Sequence, residues 1–119
     1  MISLNEARRF AHAWVTAWNS HDIENIIRLY ADNVVIVSPI AGKLLGNPEV
    51  AGIDAVKNYF MEGLRVYPDL RFAVLHVLPG EQSIVLHYLN QQGVEAAECM
   101  HFDNDGKILR MFAHYSALI

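Results

Sequence analysis

One run in the first third of the chain constrains the fold more than any other feature. It starts at Trp14 in a segment with helical spacing, passes a turn at Ser20 and Asp22, and leads into the apolar segment 34–37 before Ser38. This order predicts a helix, a short second helix and a strand that stops at a polar residue. Such an arrangement is typical of a cone-shaped α+β fold, in which these elements build the wall of a deep pocket.

Capping signals and apolar spacing place the helices in the first half of the chain. Ser3 and Glu6 form a capping box before the first helix, and Asp22 is suited to cap the second. The segment 42–52 holds three glycines and a proline, so we expect a loop or a short irregular strand there. The predicted helices cover residues 4–19, 23–33 and 53–64.

From residue 70 the apolar period changes to two, which predicts strands. Turn residues separate them at Pro79-Gly80, at Gln92-Gly93 and at 103–106. Such short turns predict an antiparallel meander, so the expected fold is three helices on one face of a strongly curved, mostly antiparallel sheet that encloses a pocket. The predicted strands cover residues 70–78, 83–91, 94–102 and 107–117, and residues 1–119 form one domain.

Composition narrows the possible partners. The chain is 53% hydrophobic and 18% charged, so apolar residues must line a cavity, an oligomer interface or both. A formal charge of -4 without a basic cluster argues against nucleic acid. The single cysteine, Cys99, fits a reducing compartment, and no apolar stretch approaches membrane-spanning length, so we expect a cytoplasmic protein.

The turn at Gln92-Gly93 gives the sharpest inference about chemistry. A two-residue hairpin turn there places His87 opposite Glu98, with Cβ atoms about 5 Å apart. Among Met, Leu, Val and Tyr side chains, such a pair is either an acid–base dyad or a satisfied cross-strand ion pair. A second count, across the turn at 103–106, brings Met111 beside Glu98.

This register also divides the sheet into two faces. Val85, His87 and Leu89 would share the pocket face with Glu98, leaving His101 and His114 on the opposite face. We expect neither a metal ion nor a cofactor, because the six histidines show no ligand spacing. An apolar convex face predicts a homodimer through that surface. It would consist of Leu75, Val77, Ile84, Leu86, Tyr88, Cys99 and Phe112.

The run from Trp14 to Ser38, together with the turn at 105–108 and the strand after it, resembles the nuclear transport factor 2-like superfamily, in particular its SnoaL-like and ketosteroid-isomerase-like branch. The resemblance covers nearly the whole chain. It implies a cone-shaped fold with the concave side of the sheet facing a pocket beneath the helices. It also implies dimerisation through the convex side, which is common in this family.

The resemblance also assigns positions in the pocket. In ketosteroid isomerases, the position matching Trp14 is a tyrosine that donates to the substrate oxyanion, the position matching Ser38 is the aspartate base, and the position matching Glu98 is a protonated aspartic acid. A serine does not shuttle protons between carbons, so the classical isomerase mechanism is not expected. The aspartate on which SnoaL-like cyclases depend is matched here by Ser116.

Two functional hypotheses follow. In the first, Glu98 and His87 act as an acid–base pair of an isomerase, dehydratase or hydrolase on a small apolar carbonyl or cyclic substrate. In the second, the chain is a ligand-binding or dimerisation module without catalysis. Trp14 either belongs to the core or shows its indole N–H to the pocket, and Ser38 either binds a ligand or ends its strand. The expected ligand-binding residues are Trp14, Ser38, Tyr59, Phe60, Phe72, Met100, Met111 and Tyr115.

Overall fold

A computed structural model describes residues 1–118. Its helices lie on one face of a curved sheet that is not closed, so the predicted α+β class is confirmed. In the described residues the helices are α1 (Leu4–Asn19), α2 (Ile23–Ile27), α3 (Pro39–Leu45) and α4 (Ile53–Val66), and the strands are β1 (Tyr30–Val37), β2 (Glu49–Ala51), β3 (Ala73–Gly80), β4 (Ser83–Leu89), β5 (Glu95–Phe102) and β6 (Ile108–Tyr115).

The six strands form one sheet in the order β2-β1-β6-β5-β4-β3. β1 runs parallel to β6, and every other neighbouring pair is antiparallel. The four strands from β3 to β6 are the meander that the short turns predict. Because β1 pairs with β6 and not with β3, the first and last strands of the described chain lie side by side in the sheet.

Local capping explains where α1 and α2 begin. Ser3 Oγ accepts from the Glu6 backbone N–H at 3.1 Å, and Glu6 Oε1 accepts from the Ser3 N–H at 3.3 Å, which confirms the capping box. Asp22 Oδ1 accepts from the Glu24 N–H at 2.9 Å. These carboxyl and hydroxyl oxygens bond N–H groups that have no partner inside the helix.

Two predictions about residues 23–52 were wrong. The second helix ends at Ile27, and β1 already starts at Tyr30, because that residue pairs with Ile108 of β6. Tertiary strand pairing overrides the local helical pattern there. The segment 42–52, expected as a loop or a short irregular strand, contains the short strand β2, but its first residues belong to α3, which was not expected. Ser38 caps α3, and Gly46 ends it with a left-handed φ of 78°.

The turn between β4 and β5 also differs from the prediction. Leu89 pairs with Glu95, so five residues, 90–94, connect the strands. The Gly93 N–H donates to the Asn90 carbonyl at 3.0 Å, and the Asn90 N–H donates to the Val94 carbonyl at 3.0 Å. Asn90 and Val94 thus face each other across a three-residue loop, 91–93, in which Gly93 adopts the φ of 73° that a glycine bulge requires.

This turn shifts the register by one residue, so the predicted pairing of His87 with Glu98 is wrong. Leu86 pairs with Glu98, and His87 pairs with Ala97. Successive side chains of a strand point to opposite faces, so a shift of one residue exchanges the two faces of β4. Met111 pairs with Met100 and not with Glu98.

The exchange of faces corrects several assignments. Ile84, Leu86 and Tyr88 are buried on the core face, and Val77, which pairs with Leu86, packs against the same core. Cys99 and Phe112 face outward as expected, since they pair with each other between buried neighbours. The residues that share this outer face with His87 include Val85, Leu89, His101 and His114, so the expected separation of the histidines was also wrong.

A buried hydrogen-bond cluster joins α1 to the centre of the sheet. The Tyr30 hydroxyl accepts from the indole N–H of Trp14 at 2.9 Å and from that of Trp18 at 3.5 Å. It donates to Met111 Sδ at 3.8 Å. The Trp14 indole N–H is therefore used inside the core and does not face a ligand.

None of the helices in residues 1–118 has the length and apolarity needed to cross a membrane.

Replacing Tyr30 by Phe tests this cluster. The change leaves two buried indole N–H groups without their acceptor, so we expect the free energy of unfolding to fall by about 2 kcal/mol. Denaturant titration of the purified variant measures the loss. Tyr59→Phe is the matched control, since its hydroxyl accepts neither indole N–H, and it should cost less than about 1 kcal/mol. Equal losses in the two variants would contradict this role of Tyr30.

Candidate functional site

A cavity of about 90 Å³ lies between the helices and the core face of the sheet. α1 and α4 form one side, and strands β1, β4, β5 and β6 form the other. The turn residues Asn90, Gln91 and Gln92 add carboxamide groups to the lining. Eight of the twenty described residues in the wall are aromatic: Trp14, Trp18, Tyr59, Phe60, Tyr67, Phe72, Tyr88 and Tyr115.

The structure brings seven of the eight expected ligand-binding residues to this cavity: Trp14, Ser38, Tyr59, Phe60, Phe72, Met111 and Tyr115. Their contact with a ligand remains a prediction. Met100 does not line the cavity, because it is fully buried one position farther along the core face of β5. The next core-face residue, Phe102, packs its ring against Phe10 of α1 at 4.7 Å, so the helix covers this end of the sheet.

Glu98 is the one acidic or basic residue among the described residues that line the cavity. It is 3% exposed, and its Oε1 accepts from the Tyr88 hydroxyl at 2.9 Å. Among buried side-chain nitrogen and oxygen atoms of residues 1–118, Oε2 of Glu98 stands out because it has no hydrogen-bond partner. Within the described residues this oxygen therefore has unused hydrogen-bonding capacity.

Burial determines the charge of this carboxyl. Desolvation raises the pKa of Glu98 to about 8, and the hydrogen bond from Tyr88 opposes part of that rise. At neutral pH most molecules therefore carry a neutral carboxylic acid at this position. With Oε1 engaged as an acceptor, the acidic proton belongs on Oε2, so the group has a hydrogen-bond donor that no protein atom in the described residues uses.

His87 lies on the other side of the sheet. Its Nε2 is 3.3 Å from Glu95 Oε2, and its ring stacks on that of His76 with centroids 5.8 Å apart. It does not line the cavity, so the acid–base pair expected between His87 and Glu98 does not form. The chemistry of the site must be explained without an imidazole.

Ser38 is 1% exposed, and it lines the cavity while capping α3. Its Oγ accepts from the Ile40 N–H at 3.1 Å and from the Tyr59 hydroxyl at 3.3 Å. Burial raises the pKa of Tyr59 to about 12, so this phenol stays neutral in physiological buffers. Ser38 therefore has a structural task, and a hydroxyl held in this way is not a base.

Of the cavity-lining residues that the sequence argument missed, Tyr88 matters most, because it is bonded to Glu98. It was assigned to the outer face, yet it is buried and bonded to Glu98. Tyr115, at the end of β6, lines the same cavity. Burial raises the pKa of both tyrosines, Tyr88 and Tyr115, far above neutral pH. The signal that could have placed Tyr88 is Asn90 three residues before Gly93, which favours the longer turn.

A metal centre finds no support in the described part of the chain. Within residues 1–118 no three His, Cys, Asp or Glu side chains are grouped so that they could hold a metal ion. The polar side chains that line the cavity carry hydroxyl, carboxyl, carboxamide and indole groups.

Comparison with solved structures places the fold among known ones. A SnoaL-like protein of unknown function from Burkholderia thailandensis E264 is 34% identical, with 98% of this chain and all of that chain covered and a TM-score of 0.92. SalBIII, described as an epoxide hydrolase/cyclase-like enzyme in pyran ring formation in the polyether salinomycin, is 16% identical, with 98% and 95% covered and a TM-score of 0.74. TerC, crystallised with polyporic acid, is 18% identical, with 92% of each chain covered and a TM-score of 0.76.

The last two similarities show the fold alone, since their identities are low. The comparison with curated proteins gives no match. The family described as the SnoaL-like domain matches residues 11–111, which is most of the chain and includes the second half of α1, Ser38 and Glu98. This match and the Burkholderia structure confirm the resemblance carried by the run from Trp14 to Ser38. The chain belongs to the SnoaL-like family.

Proposed function

We propose that this protein is a small-molecule enzyme in which Glu98, as a neutral carboxylic acid, donates a hydrogen bond and then a proton to an oxygen atom of a small apolar substrate. The observation that carries this proposal is a buried carboxyl with Oε1 bonded to Tyr88 and Oε2 without a partner, in a cavity lined by aromatic rings. A carboxylic acid whose pKa lies near the working pH suits general acid catalysis.

The cavity restricts the substrate. Its volume of about 90 Å³ is well below the roughly 300–1,000 Å³ of sites for drug-sized ligands. It suits a compound of about one ring, such as a cyclic ketone. Its lining in the described residues includes no Lys, Arg or His to balance a carboxylate or phosphate. We therefore infer an uncharged substrate with a carbonyl or hydroxyl oxygen.

A single carboxyl favours a reaction in which one group both gives and regains a proton. Dehydration of a β-hydroxy ketone meets this condition. Glu98 protonates the leaving hydroxyl, the carbon–oxygen bond breaks, and water departs. The resulting carboxylate then takes the proton from the carbon between the carbonyl and the former hydroxyl carbon, which forms the carbon–carbon double bond and restores the acid.

One of the similar structures supports a proposal of chemistry at carbon–oxygen bonds. SalBIII is described as an epoxide hydrolase/cyclase-like enzyme, and it shares this fold at low identity.

A second candidate is a binding module without catalysis. The engaged Ser38 hydroxyl favours it, because the position that matches the isomerase base provides no base here.

Two substitutions of Glu98 separate these functions. Glu98→Gln keeps an N–H donor but loses the acidic proton, whereas Glu98→Leu loses both. With cyclohex-2-enone as the probe, NMR titration should show binding within about threefold of wild type for the Gln variant and at least about tenfold weaker for the Leu variant. With 3-hydroxycyclohexanone as the substrate, dehydration followed by enone absorbance should fall at least about 100-fold in both variants.

Each result has a clear consequence. Probe binding that depends on the donor, without turnover of the hydroxyketone or its close homologues by wild type, would favour the binding module. Binding that is equal in wild type and the Leu variant would contradict a role for Glu98 in ligand recognition. Amide NMR spectra of the variants must match that of wild type, as a check that the fold is retained.

We also propose that two copies associate through the outer face of the sheet. An apolar row crosses five strands there: Leu78 pairs with Val85, Val85 with Cys99, Cys99 with Phe112, and Phe112 with Val37. Leu78 is 63% exposed and Phe112 is 36% exposed. A continuous apolar row is favourable on a surface that a second copy covers.

Light scattering after size exclusion tests this association. We expect a dimer at micromolar concentration and a shift to monomer in Phe112→Glu, because the new carboxylate would be buried in the contact. Leu118→Glu is the control, since this exposed residue follows β6 and lies outside the apolar row. A monomeric wild-type protein, or equal behaviour of the two variants, would contradict the proposal.

A further inference from the structure

We propose that Asn90 is a substrate-binding residue that donates a hydrogen bond to a second oxygen atom of the ligand, at the opposite end of the cavity from Glu98. The ligand class is then an uncharged ring that carries two oxygen groups. The assignment of one of these oxygens to Glu98 rests on the function proposed above. The donor capacity of Asn90 depends only on the hydrogen bonds of the turn at 90–94.

Asn90 lies on the solvent side of the cavity. It directly follows β4 and is half-buried, whereas Gln92 is exposed. Both residues line the cavity, as does Glu98, which is almost completely buried. The wall therefore runs from the surface at Gln92 to the interior at Glu98, and Asn90 is the more enclosed of the two carboxamides.

The hydrogen bonds of the turn leave Asn90 with donors only. Its Oδ1 accepts from the backbone N–H groups of Gln92 at 2.9 Å and Val94 at 3.0 Å, which uses both lone pairs of this oxygen. These two donors also determine which end of the carboxamide is the oxygen. Within the described residues no acceptor contacts Nδ2, so this side chain can offer the cavity an NH2 group and no oxygen.

The neighbouring carboxamides are held less firmly. The Arg71 backbone N–H donates to Gln91 Oε1 at 3.5 Å, a long contact that determines the orientation of this side chain only weakly. The side chain of Gln92 makes no hydrogen bond within the described residues. Asn90, in contrast, is fixed by two hydrogen bonds before a ligand arrives, so binding to it costs little side-chain entropy.

The strand register gives the distance between the two polar ends of the cavity. Glu98 pairs with Leu86, and Asn90 lies four positions after Leu86. Four positions of strand span about 13 Å at about 3.3 Å per residue. The two side chains and a hydrogen bond of about 2.8 Å at each end take up part of this distance. The remaining length suits one six-membered ring with oxygen groups on two of its carbons.

Such a contact complements the dehydration proposed for Glu98. In a β-hydroxy ketone, the hydroxyl oxygen would meet Glu98 and the carbonyl oxygen would meet Asn90. The carbon–oxygen bond breaks as Glu98 gives a proton to the departing water, and the carbon–carbon double bond forms as the neighbouring carbon returns a proton to Glu98. A donor on the carbonyl oxygen stabilises the negative charge that develops there, and Asn90 itself neither gains nor loses a proton.

Asn90→Asp tests the donor without removing the turn. An aspartate oxygen still accepts from the two backbone N–H groups, whereas the NH2 group is lost. The probes are cyclohexane-1,4-dione, which has two acceptor oxygens, and cyclohexanone, which has one. In NMR titrations, wild type should bind the dione about tenfold more tightly than the ketone, and Asn90→Asp should reduce this ratio to about two, the statistical value for a ligand with two equal ends.

The control is Asn104→Asp in the turn between β5 and β6. Asn104 Oδ1 also accepts a hydrogen bond, from Gln82 Nε2 at 3.4 Å, but Asn104 does not line the cavity. This variant should keep the wild-type preference for the dione. The side-chain NH2 signals of Asn90 in wild type give a readout that needs no variant, since the dione should shift them and the ketone much less. An equal preference in wild type and Asn90→Asp, or unshifted NH2 signals, would overturn the proposal.

The two proposals for this cavity fail in different ways. A dione preference that depends on Asn90, with equal cyclohexanone binding in wild type and Glu98→Leu, would sustain the role of Asn90 and reject that of Glu98. Cyclohexanone binding that depends on Glu98, with the same dione preference in wild type and Asn90→Asp, would reject the role of Asn90 alone.

Discussion

The register of β4 against β5 is the constraint on which the candidate site depends. It is fixed by the turn at 90–94, where Gly93 adopts a left-handed φ and Asn90 Oδ1 accepts from the backbone N–H groups of Gln92 and Val94. With one residue fewer in this turn, His87 would replace Tyr88 on the core face. An imidazole there would favour an ionised carboxylate, whereas a phenol leaves the carboxyl to be governed by burial.

Burial then decides what the carboxyl can do. Tyr88 provides one hydrogen bond, which stabilises a carboxylate by about 1.5–3 kcal/mol, and this is less than the cost of removing a charge from water into an aromatic cavity. Protonation resolves the imbalance, since a neutral acid needs no counter-charge. The same event turns Oε2 into a donor. A structural requirement, the neutrality of a buried group, thus creates the chemical property on which the proposed function relies.

The sequence predicted the elements whose signals are local. The capping box at Ser3 and the alternation along β5 and β6, which puts Glu98 and Tyr115 on the core face, were read correctly. The failures share one cause, since tertiary pairing or turn geometry overrode a short pattern. Tyr30 was drawn into β1 by its parallel partner Ile108, and His87 was placed by a turn that is longer than its most obvious two residues. The parallel pairing of Tyr30 is not visible in a window of a few residues, and the longer turn shows locally only in the spacing of Asn90 and Gly93.

The central claim, that folding keeps Glu98 protonated near neutral pH, is tested most directly by the pH dependence of stability. A pKa raised from 4.5 to about 8 means that the native state holds one proton more than the unfolded chain between these values. This contribution is fully present below about pH 4.5 and is lost as the pH rises through about 8. Relative to Glu98→Gln, the unfolding free energy of wild type should fall by about 1.4 kcal/mol per pH unit across this window. A constant difference between the two proteins, or one that grows in favour of wild type as the pH rises, would contradict the account.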